Sequence, residues 1–309
     1  MVANRISILL PGVVLSMVMG SAPALGVPHS HEPIRLSDYR FEFAVLPDSV
    51  IPYQMIWLKV AVTNISSRTV PKPNLVSGDG LYSISYVDDK GRPMPIPVWE
   101  GNGPGAVSVG NLESGQPDVH FVALSSEVWN PLRPPDSSRV GRTIRVVVTL
   151  DPNAFVDEPG RDSALIPRYL PFRTMWAQGD EIGATAMYLR AFFAPMKVGD
   201  PSPEPLWREL IERHPDSRLV EAALRELHFL AKEGVISGKT PLEAVLSVVR
   251  ETIQRRPESP LLTGMILRLG RGPGFTTADY DSLMHEIAAR RPDSPALEAL
   301  KARRQNEAH

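Results

Sequence analysis

Along the chain, apolar positions first alternate with polar ones and later recur at helical spacing. Tyr39, Phe41, Phe43 and Val45 fall on one side of a strand, with Arg40, Glu42 and Ala44 between them. Ile56, Leu58, Val60 and Val62 form the next apolar face, opposite Trp57, Lys59 and Ala61. Thr63-Asn64-Ile65-Ser66-Ser67 reads as a turn, because an Asn side chain can bond its own backbone. Tyr82, Ile84 and Tyr86 alternate before a hairpin signal at Asp88-Asp89-Lys90-Gly91. Further strands are expected around Val107–Val109, Val119–Leu124 and Ile144–Leu150. Short strands separated by polar turns predict an antiparallel β-sandwich.

After residue 203 the period changes. Leu206, Leu210 and Ile211 share one helical face, as do Leu219, Ala223, Leu227 and Leu230. Leu242, Val245, Leu246, Val249 and Ile253 form a third stripe, entered through Thr240-Pro241-Leu242-Glu243, an N-cap with Pro first and Glu third. Ser259 is expected to cap a run through Leu261, Leu262, Ile266 and Leu269, and Thr277 to open a helix with Leu283, Ile287 and Ala288 inward. The last helix starts at Ser294. One phrase recurs between helices: His214-Pro215-Asp216-Ser217, Arg256-Pro257-Glu258-Ser259 and Arg291-Pro292-Asp293-Ser294, with prolines 42 and then 35 residues apart. Each proline stops one helix, and Asp216 or Ser217 can cap the next. Such a period marks a helical-repeat array.

Two resemblances follow from these residues. The stretch Ile56-Trp57-Leu58-Lys59-Val60-Ala61-Val62-Thr63-Asn64-Ile65-Ser66, followed by a proline-rich segment, resembles the immunoglobulin-like sandwiches of secreted bacterial proteins. Pro215-Asp216-Ser217 with Ala222-Ala223-Leu224, then Glu243-Ala244 and Pro257-Glu258-Ser259, resembles tetratricopeptide repeats of the bacterial-envelope type. The array is degenerate: its spacing is irregular, the Gly and Tyr usual in the first helix are missing, and the last helix is short. The repeat resemblance implies a concave surface that holds peptides or partner proteins. The expected organisation is a signal peptide at 1–26, a sandwich at 27–160, a linker with one helix at 161–202 and helical repeats at 203–309.

Composition narrows the setting. Arg5 followed by an apolar run from Ile6 to Met19, then Ala22-Pro23-Ala24, reads as a secretory signal cleaved after Ala24 or after Gly26. The protein is therefore expected in the periplasm or outside the cell, with no integral membrane segment after cleavage. The 33 basic and 35 acidic residues nearly balance, which argues against a nucleic-acid binder. The 31 prolines, about twice the usual share, cluster in the first two thirds. With no cysteine there are no disulfides, thiolate metal sites or cysteine nucleophiles.

Chemistry is sparse. None of the seven histidines forms a His-x-x-x-His pair, and Gly-x-Ser-x-Gly and Walker motifs are absent. His29-Ser30-His31-Glu32 is a weak metal-binding pattern. Asn64-Ile65-Ser66 fits a glycosylation sequon but reads as turn chemistry. Gly101-Asn102-Gly103-Pro104-Gly105 reads as a loop, and Asp79, Asp88 and Asp89 as turn carboxylates. Trp99 and Trp129, in proline-flanked parts of the sandwich, are the candidate ligand-binding residues, able to stack on a sugar or peptide. No catalytic residue, cofactor or metal site is assigned. The leading expectation is a non-enzymatic, exported protein-binding or assembly module of the bacterial envelope, with the repeats as partner surface. The alternative is a carbohydrate-binding accessory protein using the sandwich.

Overall fold

Strands occupy mainly the N-terminal part and helices the C-terminal part. The computed structural model describes residues 35–73, 81–94, 110–124, 140–151, 155, 167–194, 202–234, 236, 240–269 and 274–307. The signal-peptide reading, His29, His31, Asp79, the 101–105 loop, the strand expected at 107–109, Trp99 and Trp129 all lie outside these residues.

The first alternating run forms β1 (Tyr39–Leu46), which pairs antiparallel along its full length with β3 (Trp57–Asn64). β3 pairs in turn with β7 (Pro117–Ala123), closing a sheet of order β1-β3-β7. A second sheet has the order β2-β9-β8-β5, from β2 (Ser49–Val50), β9 (Arg168–Thr174), β8 (Thr143–Leu150) and β5 (Tyr82–Val87). Here β8 runs antiparallel to both neighbours and β2 parallel to β9. A two-stranded ribbon joins β4 (Val70–Pro71) to β6 (Asn111–Leu112). The inner faces meet through aromatic edges: Phe43 against Tyr82 at 6.2 Å between ring centroids, and Phe41 against Phe155 at 6.0 Å. Such edge-to-face pairs match the rim of one ring to the π-face of the other.

The stretch 161–202, expected as a linker with one helix, contributes β9 as well. Its prolines masked the strand. Thr174 donates its backbone N–H toward β8 and Arg173 donates toward Asp48, so the position of Pro171 faces away from β8. The two-residue β2 does not reach that far, and a missing donor on an open edge costs no ladder bond.

Seven helices are described: α1 (Asp180–Phe192), α2 (Glu204–Arg213), α3 (Val220–Lys232), α4 (Pro241–Arg255), α5 (Leu261–Leu269), α6 (Thr277–Arg290) and α7 (Pro295–Glu307). The Thr240–Glu243 capping box forms as expected, and a second forms at Thr276–Asp279, one residue before the expected opening Thr277. Sequential neighbours from α1 to α5 pack together, as do α6 and α7; α3 also meets α5, α4 meets α6, and α5 meets α7.

The helices also cover the outer face of the first sheet. Leu58, Val60 and Val62 are fully buried toward the second sheet, while Trp57 and Ala61 on the opposite side are 7% exposed. α7 packs on β7, and Ala299 meets Ala61 and Val119. Tyr53 stacks on Tyr188 of α1 at 5.4 Å. Strands and helices therefore share one hydrophobic cluster reaching from Tyr39 to Leu300.

One buried charge cluster anchors the ribbon. Lys72 Nζ lies 2.9 Å from Asp118 Oδ1, with side chains 4% and 2% exposed, and His120 Nε2 lies 3.1 Å from Asp118 Oδ2. Burial alone would raise the Asp118 carboxyl, but the hydrogen bond from His120 and the charges of His120 and Lys72 hold it below the ordinary carboxylate value. Asn64, fully buried, donates Nδ2 to the carbonyls of Arg68 and Leu112 and accepts from the Ser66 amide, so its sequon is turn chemistry.

Asp118→Asn leaves Lys72 buried without a counter-charge and should lower stability by about 3–5 kcal/mol in urea denaturation. A Cβ on Gly183 would sit 2.9 Å from His214 Cε1, on a ring held by Asp180 at 2.7 Å. Gly183→Ala should therefore cost about 1 kcal/mol net, the clash outweighing the gain in helix propensity. In a His214→Ala background the same change should stabilise by about 1 kcal/mol. A double-mutant cycle reads the reversal of sign.

Candidate binding face

The recurring phrase forms a ladder of turns. Ser217 donates its hydroxyl to Glu181 Oε2 at 2.5 Å, and the Arg218 amide donates to Glu181 Oε1 at 2.9 Å. Ser259 likewise donates to Glu221 Oε1. Ser294 donates to the Pro257 carbonyl at 2.5 Å. Each serine thus reaches back to an earlier part of the chain. Ser217 and Ser259 also accept from the amides of Leu219 and Leu261, both at 3.1 Å, but Leu219, not the expected Asp216 or Ser217, is the N-cap of α3, and no side chain caps it. Arg256 adds a rung by donating to the carbonyls of Pro215 at 3.2 Å and Ser217 at 2.6 Å.

Glu221 joins the ladder to the first sheet. Its Oε1 accepts from Trp57 Nε1 at 3.0 Å as well as from Ser259. Burial pushes the carboxyl above its ordinary value, outweighing the hydrogen bonds from Ser259 and Trp57 and the charge of Arg256; Glu258 adds to the rise. Nearby, Arg218 donates to the Ser49 carbonyl at 3.1 Å, Arg225 Nη1 meets Met55 Sδ at 3.3 Å, and Lys59 pairs with Glu298 at 2.9 Å. These contacts commit α3 and α7 to the strands.

The opposite side of the helices is open. α4 buries Ala244, Val245, Val248, Val249, Thr252 and Ile253 and turns its other stripe outward. Along that stripe runs a groove of about 840 Å³ lined by Leu246, Ser247, Arg250, Glu251, Gln254 and Arg255 among others. Its walls are tied to the flanking helices by charge. Glu251 receives Arg208 of α2 at 3.2 Å and Arg255 of its own helix at 3.2 Å, while Arg250 lies 3.6 Å from Glu286 of α6. The groove is polar, with guanidinium, carboxylate, amide and hydroxyl groups over a single leucine. That inventory can bond the backbone and polar side chains of a bound chain.

Among the described residues no group of three or more His, Asp or Glu is placed to hold a metal ion, and no helix is long and apolar enough to cross a membrane. Asp88 is a turn carboxylate as expected: Oδ1 accepts from the Lys90 and Arg92 amides and Oδ2 from Arg92 Nε. Glu181, Glu221 and Trp57 were missed as contact residues from the sequence, since their partners lie 36 to 164 positions away.

No family model matches the chain, and no curated protein matches it. Among solved structures, a β-glucosidase from Listeria innocua in complex with glucose aligns with 45% of this chain at 12% identity and a TM-score of 0.23. The alignment spans 16% of that protein. A likeness this slight carries no argument about fold or activity.

Glu221→Gln preserves an acceptor for Trp57 and Ser259 while removing the titration. A carboxyl raised in the folded state binds more protons folded than unfolded, so its contribution is full below its unfolded pKa and is lost as pH rises through the folded one. The stability of Glu221→Gln relative to the parent should therefore increase as pH rises from the ordinary value of 4.5 toward neutrality. Paired urea midpoints between pH values of about 4 and 7 measure this, and a flat difference would contradict it.

Proposed function

We propose that the protein is a non-enzymatic, exported binding module of the bacterial envelope that holds a protein or peptide partner on the shared face of α2, α4 and α6. The observation that carries this reading is the asymmetry of the helices. One side is committed to the first sheet through Trp57–Glu221, Lys59–Glu298 and the Ala61–Ala299 packing, leaving the α4 groove as the accessible side. The ladder of serine turns and the contacts between alternate helices support a degenerate tetratricopeptide-like arrangement, in which the first helix of each hairpin lines the concave surface.

The strand order supports an immunoglobulin-like reading of the two sheets. β1, β3 and β7 correspond to strands A, B and E of such a sandwich, and β5, β8 and β9 to strands C, F and G. In this reading the sandwich buttresses the helices, which keeps the groove preformed and lowers the ordering cost of binding. Export rests on the Arg5 to Ala24 segment of the sequence.

A photocrosslinking amino acid at Gln254 should capture a polypeptide partner in cells, whereas the same probe at Ser85 should not. Arg250→Glu, which reverses one charge of the groove, should reduce the Gln254 adduct at least about fivefold without changing the urea midpoint by more than about 0.5 kcal/mol in stability. Equal adducts at both positions, or none at Gln254, would remove the groove from the proposal.

A further inference from the structure

The outer face of the second sheet exposes Ser83, Ser85, Tyr169 and Arg173, while Val147 at its centre is 7% exposed. Alternation along its strands turns Ile144, Val146, Val148 and Phe172 into the core and sends Ser83, Ser85, Arg145, Thr149, Tyr169 and Arg173 outward. Tyr169 is 57% exposed on this face, beside the buried Val147, and Val87 and Pro171 are its other apolar positions. In the register, Tyr169 lies opposite Val147, Arg145 opposite Pro171 and Arg173 opposite Thr143. Arg145 is thus a diagonal neighbour of both Tyr169 and Arg173, about 7 Å from each between backbones. Arg145 lies midway between Tyr169 and Arg173, which stand four residues, about 13 Å, apart along β9, and the hydroxyls of Ser83, Ser85 and Thr149 share the face.

The charge of this face has one sign. The outward positions of β5, β8 and β9 carry Arg145 and Arg173 and no carboxylate. Arg145 Nη1 rests 3.5 Å from the Asp88 carbonyl and 3.4 Å from that of Asp89, while the Asp88 carboxylate is taken by Arg92 at 2.7 Å. The adjoining turn Asp88-Asp89-Lys90-Gly91-Arg92 is neutral overall, with two acids and two bases.

We infer that this face binds an acidic polysaccharide built from uronate units. The apolar side of a sugar ring stacks on Tyr169, successive carboxylates pair with Arg145 and Arg173 in the forked geometry guanidinium favours, and the serine and threonine hydroxyls bond sugar hydroxyls. The alternatives fit less well. A protein partner wants a larger exposed apolar centre than one tyrosine beside a buried valine, and nucleic acid wants a longer track of cations than two arginines. The site is separate from the α4 groove, and either can fail without the other.

Alginate is the probe, with neutral dextran as control and phosphatidylglycerol vesicles as the competing anion, measured by biolayer interferometry on the full protein. Alginate should bind at low ionic strength and be released by about 0.5 M salt, while dextran does not bind. The Arg145→Ala, Arg173→Ala pair should weaken binding at least about tenfold and Tyr169→Ala about fivefold. Tyr169→Phe should retain binding because the ring is what stacks. Arg250→Glu in the groove should have no effect. Absence of alginate binding, or binding indifferent to Tyr169→Ala and the arginine pair in variants with unchanged circular dichroism, would overturn the inference. So would vesicle binding that is tighter than alginate binding and lost in the same variants, because the occupant would then be a membrane surface.

Discussion

Everything on the helical side depends on how the helices are held against the outer face of the first sheet. The contact is small in chemistry and large in consequence. One oxygen of Glu221 accepts from the indole of Trp57 and from the hydroxyl of Ser259, linking β3, α3 and the turn between α4 and α5. Around it, apolar packing of Ala299 on Ala61 and Val119 removes surface from water, and the exposed Lys59–Glu298 pair adds register more than energy. A raised carboxyl pKa at such a point says that burial costs more than the hydrogen bonds return in the ionised state. The benefit lies in geometry: an acceptor there fixes which turn meets which strand.

That attachment divides the surface of the molecule. It consumes the outer face of the first sheet and the sides of α3 and α7, and leaves the groove of α4 and the outer face of the second sheet outside it. These two surfaces differ in chemistry. The groove alternates charge and is cross-braced to α2 and α6 by Arg208–Glu251 and Arg250–Glu286. The sheet face is cationic and carries one exposed ring.

Much of the secondary structure was legible because local periodicity reports local burial. β1, β3, β5, β7 and β8 fall where alternation placed them, and the turns at Pro215, Pro257 and Pro292 fall where the repeated phrase placed them. β9 was hidden because Pro171 reads as a breaker until the neighbouring strand, and which side of the proline faces it, is known. The two-sided burial of β3 was hidden for a related reason. Trp57, Lys59 and Ala61 look like an ordinary outward face, and only the return of α3 and α7, 164 and 239 residues later, meets it. Trp57, read as the far side of a strand, became a central contact, whereas the weight given to Trp99 and Trp129 rested on exposed aromatics in general.

The repeated serine carries more information than the capping role expected of it. Glu221 stands four residues after Ser217 and Glu298 four after Ser294, and both reach β3, through Trp57 and Lys59 respectively. The equivalent position after Ser259 is Thr263, which is 5% exposed and whose hydroxyl has no hydrogen-bond partner among the described residues. A threonine is too short to do what Glu221 does for Ser259, and Ser294 accordingly donates to the Pro257 carbonyl instead. Glu181 performs the Glu221 role for Ser217 from α1, the helix expected to belong to a linker. The ladder therefore begins one helix earlier than the phrase itself. At Ser294 the Pro257 carbonyl takes the place that a carboxylate holds at Ser217 and Ser259, so all three hydroxyls are satisfied.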